Sequence, residues 1–317
     1  MHTSSSSIKT AVLLIIFNRP DTTSKVFEMI REAKPLRLYV AADGARIGKE
    51  SEEKKVAKAR EIASNIDWPC EVKTLFRDKN LGCKMGVSTA ITWFFEHEEQ
   101  GIILEDDCVP HLNFFTFCES LLHRYSKDER ISVITGNNFQ NGQWRGDGSY
   151  YFSKYNHCWG WATWRRSWKN YQEDITFWPK WRNSDSWQEQ MPDKIERKYW
   201  TLIFDRVAKG QIDSWAYPWV ASTWYIRGLT VTPNMNLVSN IGFGEDSSHT
   251  LNKHSIFSNM PLQKLGELKH PKKVEKDLEA DSWTFNFHFG GKNLRFPNNL
   301  TLLPRRVIAY ILRNLNK

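Results

Sequence analysis

Residues 101–110 read Gly-Ile-Ile-Leu-Glu-Asp-Asp-Cys-Val-Pro. Ile102, Ile103 and Leu104 form a short apolar run, Glu105, Asp106 and Asp107 end it abruptly, and Pro110 stops any continuing strand. The pattern is that of a buried strand with carboxylates at its carboxyl end. Ligands of open α/β sheets bind in the crevice outside those ends, and crowded carboxylates are tolerated mainly where a cation shares the site. The three acids are therefore candidates for a metal site. The competing reading is a solvated turn whose Asp caps the helix expected over 113–125.

Upstream, strand and helix patterns alternate. Residues 10–17 are apolar and β-branched, and Asn18-Arg19-Pro20-Asp21 then opens a helix expected to run to about residue 33. Arg19 falls in a strand-to-helix turn, where an Arg beside a helix N-terminus suits a phosphate. A second strand, 36–42, is closed by Asp43-Gly44; a charged helix follows over 49–65, then a strand over 70–76 and a helix over 84–98. This βαβαβα order predicts an α/β fold with right-handed crossovers and a mainly parallel sheet flanked by helices. Four successive carboxyl ends then carry Arg19, Asp43, the 80–84 loop with Lys84, and the acidic triplet.

Downstream the pattern is less regular. A strand is expected over 131–135, followed by a polar loop, 136–148, with the length and composition of a lid, and a short aromatic strand at 150–152. Residues 156–164, Asn-His-Cys-Trp-Gly-Trp-Ala-Thr-Trp, look like one wall of a cleft. Mostly charged helix is expected over 168–210, a helix from Asp213 to about 225, a strand over 228–233, and a glycine-rich loop able to place His249 over a phosphate or metal. Residues 261–281 are polar, Lys-rich and expected to be peripheral. Val307, Ile308, Ile311, Leu312 and Leu315 make an apolar face beside Arg305, Arg306, Arg313 and Lys317, the pattern of a helix lying on a membrane surface or docking back on the domain.

Composition narrows the function classes. A formal net charge of +8 over 317 residues favours an anionic partner, but the basic residues are dispersed among acids, without zinc-finger spacing or an RNP-like motif, so nucleic acid is not expected. Five Cys without a C-x-x-C pair argue against zinc and for thiols as small apolar fillers. The apolar run at 11–17 is too short to span a bilayer and lacks a cleavage site, so a cytoplasmic protein is expected, with peripheral membrane contact through the C-terminal helix as the alternative. Of 15 Trp, eleven fall between residues 159 and 224, where they serve packing or stacking on sugar rings.

Phe17-Asn18-Arg19-Pro20, Ala42-Asp43-Gly44, Asn80-Leu81-Gly82, Leu104-Glu105-Asp106-Asp107, Trp159-Gly160-Trp161 and the 240–249 loop occur in the order seen in GT-A glycosyltransferases. Over roughly residues 10–250 the chain resembles a bacterial group of predicted sugar transferases (HlpA-like) and, more distantly, the inverting N-acetylglucosaminyltransferase I. The resemblance implies a GT-A, Rossmann-like fold with a nucleotide-sugar-binding half at 10–150 and a Trp-rich acceptor-binding half at 151–250; the Ser-rich residues 1–9 are expected to be disordered, and 251–317 to form a C-terminal extension. It also implies a nucleotide-sugar donor, most simply a UDP-sugar, a glycan or lipid-linked acceptor, and a divalent cation, Mn²⁺ or Mg²⁺. On this likeness Asp107 is a direct metal ligand, Asp106 a ribose or metal partner, and Glu105 a contact to the transferred sugar. Asp43 would meet the uracil, Arg19 the diphosphate and Lys84 the nucleotide, while His249 would close on diphosphate or metal. The eukaryotic relatives place a basic Asp just before a Trp. Here Asp213-Ser214-Trp215 is offset by one, leaving Asp213 as the candidate base against a helix cap or Glu245 and Asp246. Two other classes remain open: a non-catalytic carbohydrate-binding protein with structural Ca²⁺, and a metal-dependent nucleotidyltransferase.

Overall fold

Ala-Val-Leu-Leu-Ile-Ile has no polar residue to turn toward water, and it forms β1 (Ala11–Ile16), buried along its whole length in the middle of a sheet. The computed structural model describes residues 7–243 and 256–299. After β1 come α1 (Pro20–Ala33), β2 (Arg37–Ala42), α2 (Glu50–Ser64), β3 (Glu71–Phe76), α3 (Gly82–His97) and β4 (Gln100–Glu105). The first half thus follows the alternation expected of it, and the acidic triplet begins on the last residue of β4. Next are β5 (Cys108–Pro110), α4 (Leu112–Arg124), β6 (Ile131–Thr135), β7 (Tyr150–Ser153) and β8 (Trp161–Trp164). Three short helices, α5 (Arg165–Trp168), α6 (Trp178–Trp181) and α7 (Asp185–Gln190), precede α8 (Lys194–Ala208) and α9 (Ala216–Tyr225). The described chain ends with β9 (Leu229–Pro233), β10 (Val238–Asn240), α10 (Leu278–Trp283) and two short turns of helix.

Eight strands form one sheet in the order β3-β2-β1-β4-β8-β6-β9-β7. The pairs β1–β2, β2–β3, β1–β4 and β6–β9 are parallel, while β8 is antiparallel to both β4 and β6, and β7 to β9. Only β7 and β8 therefore oppose the other six strands, so the sheet is mainly parallel and helices flank it, a Rossmann-like α/β fold. Val12, Leu14 and Ile16 pack with α1, α2 and α4 on one face; Leu13 and Ile15 pack with α3, Trp161, Trp215 and Trp219 on the other. Gly101 permits that second packing, because a Cβ there would lie 2.2 Å from Phe94 Cζ of α3. A separate core of Trp178, Trp181, Trp187, Trp200, Phe204 and Trp224 joins α6 through α9.

Several expectations change. Residues 161–164 are a central strand, β8, because Ala162 and Trp161 pair with Ile102 and Ile103 on one side and Ile134 and Thr135 on the other. The 136–148 loop is tied down rather than lid-like: Asn138 Nδ2 donates to the Pro233 carbonyl at 2.7 Å, and Gln140 Nε2 to Thr284 Oγ1 at 2.9 Å. The 168–210 stretch breaks into short helices, and 261–281 is not merely peripheral, since Asp281 is 3 % exposed and accepts from Ser153 Oγ at 2.6 Å. Among the described residues no helix is long and apolar enough to cross a membrane. The basic C-terminal helix expected around 305–317 lies outside them.

Candidate active site

The carboxyl end of β4 and the turn from β1 into α1 meet at Arg19. Pro20 opens α1, and the Arg19 side chain makes no cap bond to it. It turns to the acids instead, with Nη1 donating to Asp107 Oδ2 at 2.8 Å and Nη2 to Asp106 Oδ1. Asp106 is 2 % exposed, and its Oδ2 accepts from the Phe17 amide at 3.1 Å. Both Asp106 oxygens thus hold the β1–α1 turn and fix the guanidinium. The acids do not cap the following helix: the Asn113 amide that opens α4 donates to His111 Nδ1 at 3.0 Å.

Asp107 is the more available carboxylate. Among the described residues its Oδ1 takes only long contacts, 3.3 Å from Cys108 Sγ and 3.4 Å from Asn240 Nδ2. β5 and β10 pair antiparallel and bring residues 240–242 over it, so closely that a Cβ on Gly242 would stand 2.0 Å from Asp107 Oδ2. Glu105 pairs in register with Ile15 and so faces the α3 side of the sheet.

Among the described residues these acids are short of positive charge. Burial, then Asp107 and Asp106, push the Glu105 carboxyl up to about 8 against the opposing pull of Arg19. Burial likewise holds Asp106 up at about 6, with Arg19 as the main opposing influence. For Arg19 burial pulls the other way, but Asp106 and Asp107 outweigh it and raise its pKa. One guanidinium does not balance three enclosed carboxyl groups, and the donors are all hard oxygens, so the residues present fit a divalent cation. Among the described residues no three His, Cys, Asp or Glu side chains converge as a ready-made cage. Such an ion would therefore share Asp107 with oxygens of a bound substrate, as Mg²⁺-type ions commonly do.

Arg19, Glu105 and Asp107 open into a cavity of about 400 Å³. Its walls come from the β7–β8 connection (Asn156, His157, Trp159), from α8 (Trp200), from the entry to α9 (Trp215, Tyr217) and from the segment after α10 (His288, Phe289). Arg19 is the sole Lys or Arg among the described lining residues. Burial lowers the His157 pKa well below its usual value, helped by His288, and burial brings His288 down to about 4. Both imidazoles are therefore neutral near pH 7. Most of the clustered Trp residues are packing; Trp159, Trp200 and Trp215 alone line this cavity among the described residues.

The remaining candidates gather at the N-terminus of α3. Asp43 Oδ2 accepts from the Leu81 and Gly82 amides at 2.8 and 3.2 Å, while Oδ1 is buried with no hydrogen-bond partner among the described residues. Burial raises the Asp43 pKa against those amides and Arg77. Asp213 Oδ1 accepts from the Lys84 amide at 3.3 Å, so it caps α3 from 129 residues away rather than α9, whose first amide, that of Ala216, donates to Ser214 Oγ at 3.2 Å. Its neighbours Ser214 and Trp215 line the cavity. The Lys84 ammonium lies 2.9 Å from Glu173 and 3.1 Å from Asp174 and does not line the cavity, so it is turned from the expected nucleotide role toward those acids. His249, Glu245 and Asp246 lie outside the described residues.

No family model matches the sequence, and no curated protein matches it. Among solved structures, HddC from Yersinia pseudotuberculosis aligns with 11 % identity over 54 % of this chain and 86 % of its own, at a TM-score of 0.32. A UDP-glucose pyrophosphorylase complexed with UDP-glucose aligns with 12 % identity over 51 % of this chain and 71 % of its own, at 0.27.

Asn156 and His157 entered the sequence reading only as part of a cleft wall, and the cavity residues His288 and Phe289 escaped it. The first two carried a signal, since Asn-His opens an aromatic stretch too rich for a solvent loop. His288 and Phe289 stand in Thr-Phe-Asn-Phe-His-Phe, whose alternation suggests a strand but which winds as a helical turn over Thr284–His288.

Proposed function

We propose that the protein is a nucleotide-sugar-dependent glycosyltransferase. The observation that supports this reading is the single cavity in which the β4 acids and Arg19 adjoin an otherwise aromatic and uncharged wall. A diphosphate can be met at the first part and a sugar at the second. A nucleotidyltransferase, which takes a nucleoside triphosphate together with a sugar phosphate, is the alternative reading of the same cavity, and the product it releases distinguishes the two. The donor is proposed to be a UDP-sugar, and the acceptor a glycan or lipid-linked hydroxyl.

In this reading Arg19, held in place by buried Asp106, binds the donor diphosphate and stays there as the sugar–oxygen bond breaks. Asp107 would hold a divalent cation, Mn²⁺ or Mg²⁺, which when bound neutralises charge on the departing diphosphate. Glu105 faces the cavity beside the transferred ring. Asp43, with Oδ2 fixed on the α3 amides, offers Oδ1 to the base. Asp213, next to the lining residues Ser214 and Trp215, takes the proton of the acceptor hydroxyl, which attacks from the side opposite the diphosphate.

The test is a panel of UDP-, GDP- and TDP-sugars with Mn²⁺, read first by thermal stabilisation and then by product analysis against hydroxyl acceptors. Release of nucleoside diphosphate with a glycosylated product supports the reading, and Asp107→Ala should abolish the Mn²⁺-dependent stabilisation. Release of pyrophosphate would make the protein a nucleotidyltransferase, and sugar binding without any nucleotide-dependent effect would make it a carbohydrate-binding protein.

A further inference from the structure

We infer that the wall formed by Asn156, His157 and His288 is a subsite for an uncharged sugar ring and sets the specificity of the cavity. The inference rests on the nucleotide-sugar reading and deepens it. Asn156 is 8 % exposed, and neither its Oδ1 nor its Nδ2 has a hydrogen-bond partner among the described residues. His288 Nδ1 is buried and equally unpartnered. Buried polar groups are almost always satisfied, because leaving them unpaired forfeits their hydration without return. Here three such atoms belong to two residues, from segments 132 residues apart, that line one cavity.

The chemistry of the wall selects the ligand. The amide of Asn156 presents two donors and an acceptor, and a neutral imidazole presents one of each, a set that matches sugar hydroxyls. His288 is fixed for this use by stacking on Phe139, with ring centroids 4.0 Å apart, and His157 stands edge-on to it at 5.3 Å. Trp159, Trp200 and Phe289 supply apolar faces for the C–H side of a pyranose. None of these groups carries a formal charge. A carboxylate or ammonium facing this wall, away from Arg19, Glu105 and Asp107, would lose its water without a counter-charge, so the wall selects against uronic acids and amino sugars.

Saturation-transfer NMR on the full chain tests this with methyl glucoside, methyl galactoside and methyl N-acetylglucosaminide against glucuronate, glucosamine and uridine. At least one neutral glycoside should bind, with affinity reduced tenfold or more in Asn156→Ala and in His288→Phe. His288→Phe retains the stack on Phe139, and neither variant breaks a protein hydrogen bond at the unpartnered atoms, so melting temperatures near the parent's confirm folding. Equal binding of the charged sugars, displacement by uridine, absence of glycoside binding, or parent-like binding in both variants overturns the inference. Adding a UDP-hexose that itself binds separates the two sources of the ring, and either result supports the subsite: displacement marks the donor sugar, simultaneous binding the acceptor. UDP affinity is measured alongside. Glycoside binding without UDP binding would refute the nucleotide-sugar reading and leave the subsite standing; UDP binding without glycoside binding would do the reverse.

Discussion

Replacing Arg19 with Met keeps an apolar stem of similar length and removes the guanidinium that faces Asp106 and Asp107. Those side chains are 3 % and 13 % exposed, and Arg19 is 23 % exposed. Removing one partner of a buried pair costs about 3–5 kcal/mol, and the partial exposure of Arg19 puts this pair at the lower end. The loss depends on pH in a direction that can be worked out. In the parent, Asp106 already stands at about 6 against an ordinary 3.8. A raised carboxyl binds its proton more tightly when folded, so its stabilising contribution is full below the unfolded value and is lost as pH rises to about 6. Above that pH Asp106 adds no further loss in the parent, while Glu105, held up at about 8, goes on titrating in both proteins. Without Arg19 the folded value of Asp106 moves higher still, and the variant goes on losing about 1.4 kcal/mol per pH unit relative to the parent. Between pH 6 and 8 that slope amounts to about 3 kcal/mol, in agreement with the cost of the broken pair. Urea unfolding at pH 5 and pH 8 measures it: the variant should be close to the parent at pH 5 and about 3 kcal/mol weaker at pH 8. Millimolar Mn²⁺ should recover part of the difference at pH 8. An equal loss at both pH values, or none at pH 8, would refute the view that Arg19 balances buried carboxylates.

Asp43→Ala removes the acceptor for the Leu81 and Gly82 amides, which should cost about 0.5–2 kcal/mol of stability as a lost helix cap; it should also weaken donor binding by about 1–3 kcal/mol. Unchanged affinity and preference among UDP, GDP and TDP would limit Asp43 to the cap. Asp213→Asn should lower kcat about 100-fold or more while sparing donor affinity, whereas near-normal turnover would reduce Asp213 to the cap it forms on α3. His288, held at about 4 against an ordinary 6.5, contributes stability that is full above pH 6.5 and lost as pH falls through 4, a total of about 3 kcal/mol. Melting curves from pH 7 to 4 should show a shallower acid loss in His288→Phe than in the parent, and identical slopes would count against a buried neutral imidazole.

The parallel half of the sheet was legible because each of its strands is bounded within a few residues by its own signals. An apolar run, then Asp-Gly, Asn-Arg-Pro or an acidic triplet, is enough to mark a carboxyl end, and parallel crossovers bring all those ends to one edge without further information. Arg19 and the β4 acids could therefore be placed together from local pattern. β8 could not: Trp-Ala-Thr-Trp shows no alternation that a reader of the sequence could separate from its aromatic surroundings, and its place is set by pairing with β4 and β6 on either side. One local mark did survive, since Gly160 between two Trp adopts φ +69° where a side chain would also strike Val238. The far wall of the cavity belongs to the same class of long-range consequence. Asp213 reaches an amide 129 residues away, and Asn156 and His288 join only because α10 folds back against β7 through Ser153 and Asp281. A position at the edge of a parallel sheet follows from the order of elements, whereas the partner it faces depends on how the less regular half packs, and that half is built from Trp residues that fit one another in many ways. Residues that carry charge at the sheet edge are for that reason readable from sequence, whereas the contacts that bring the uncharged residues opposite them into one wall are readable only from the fold.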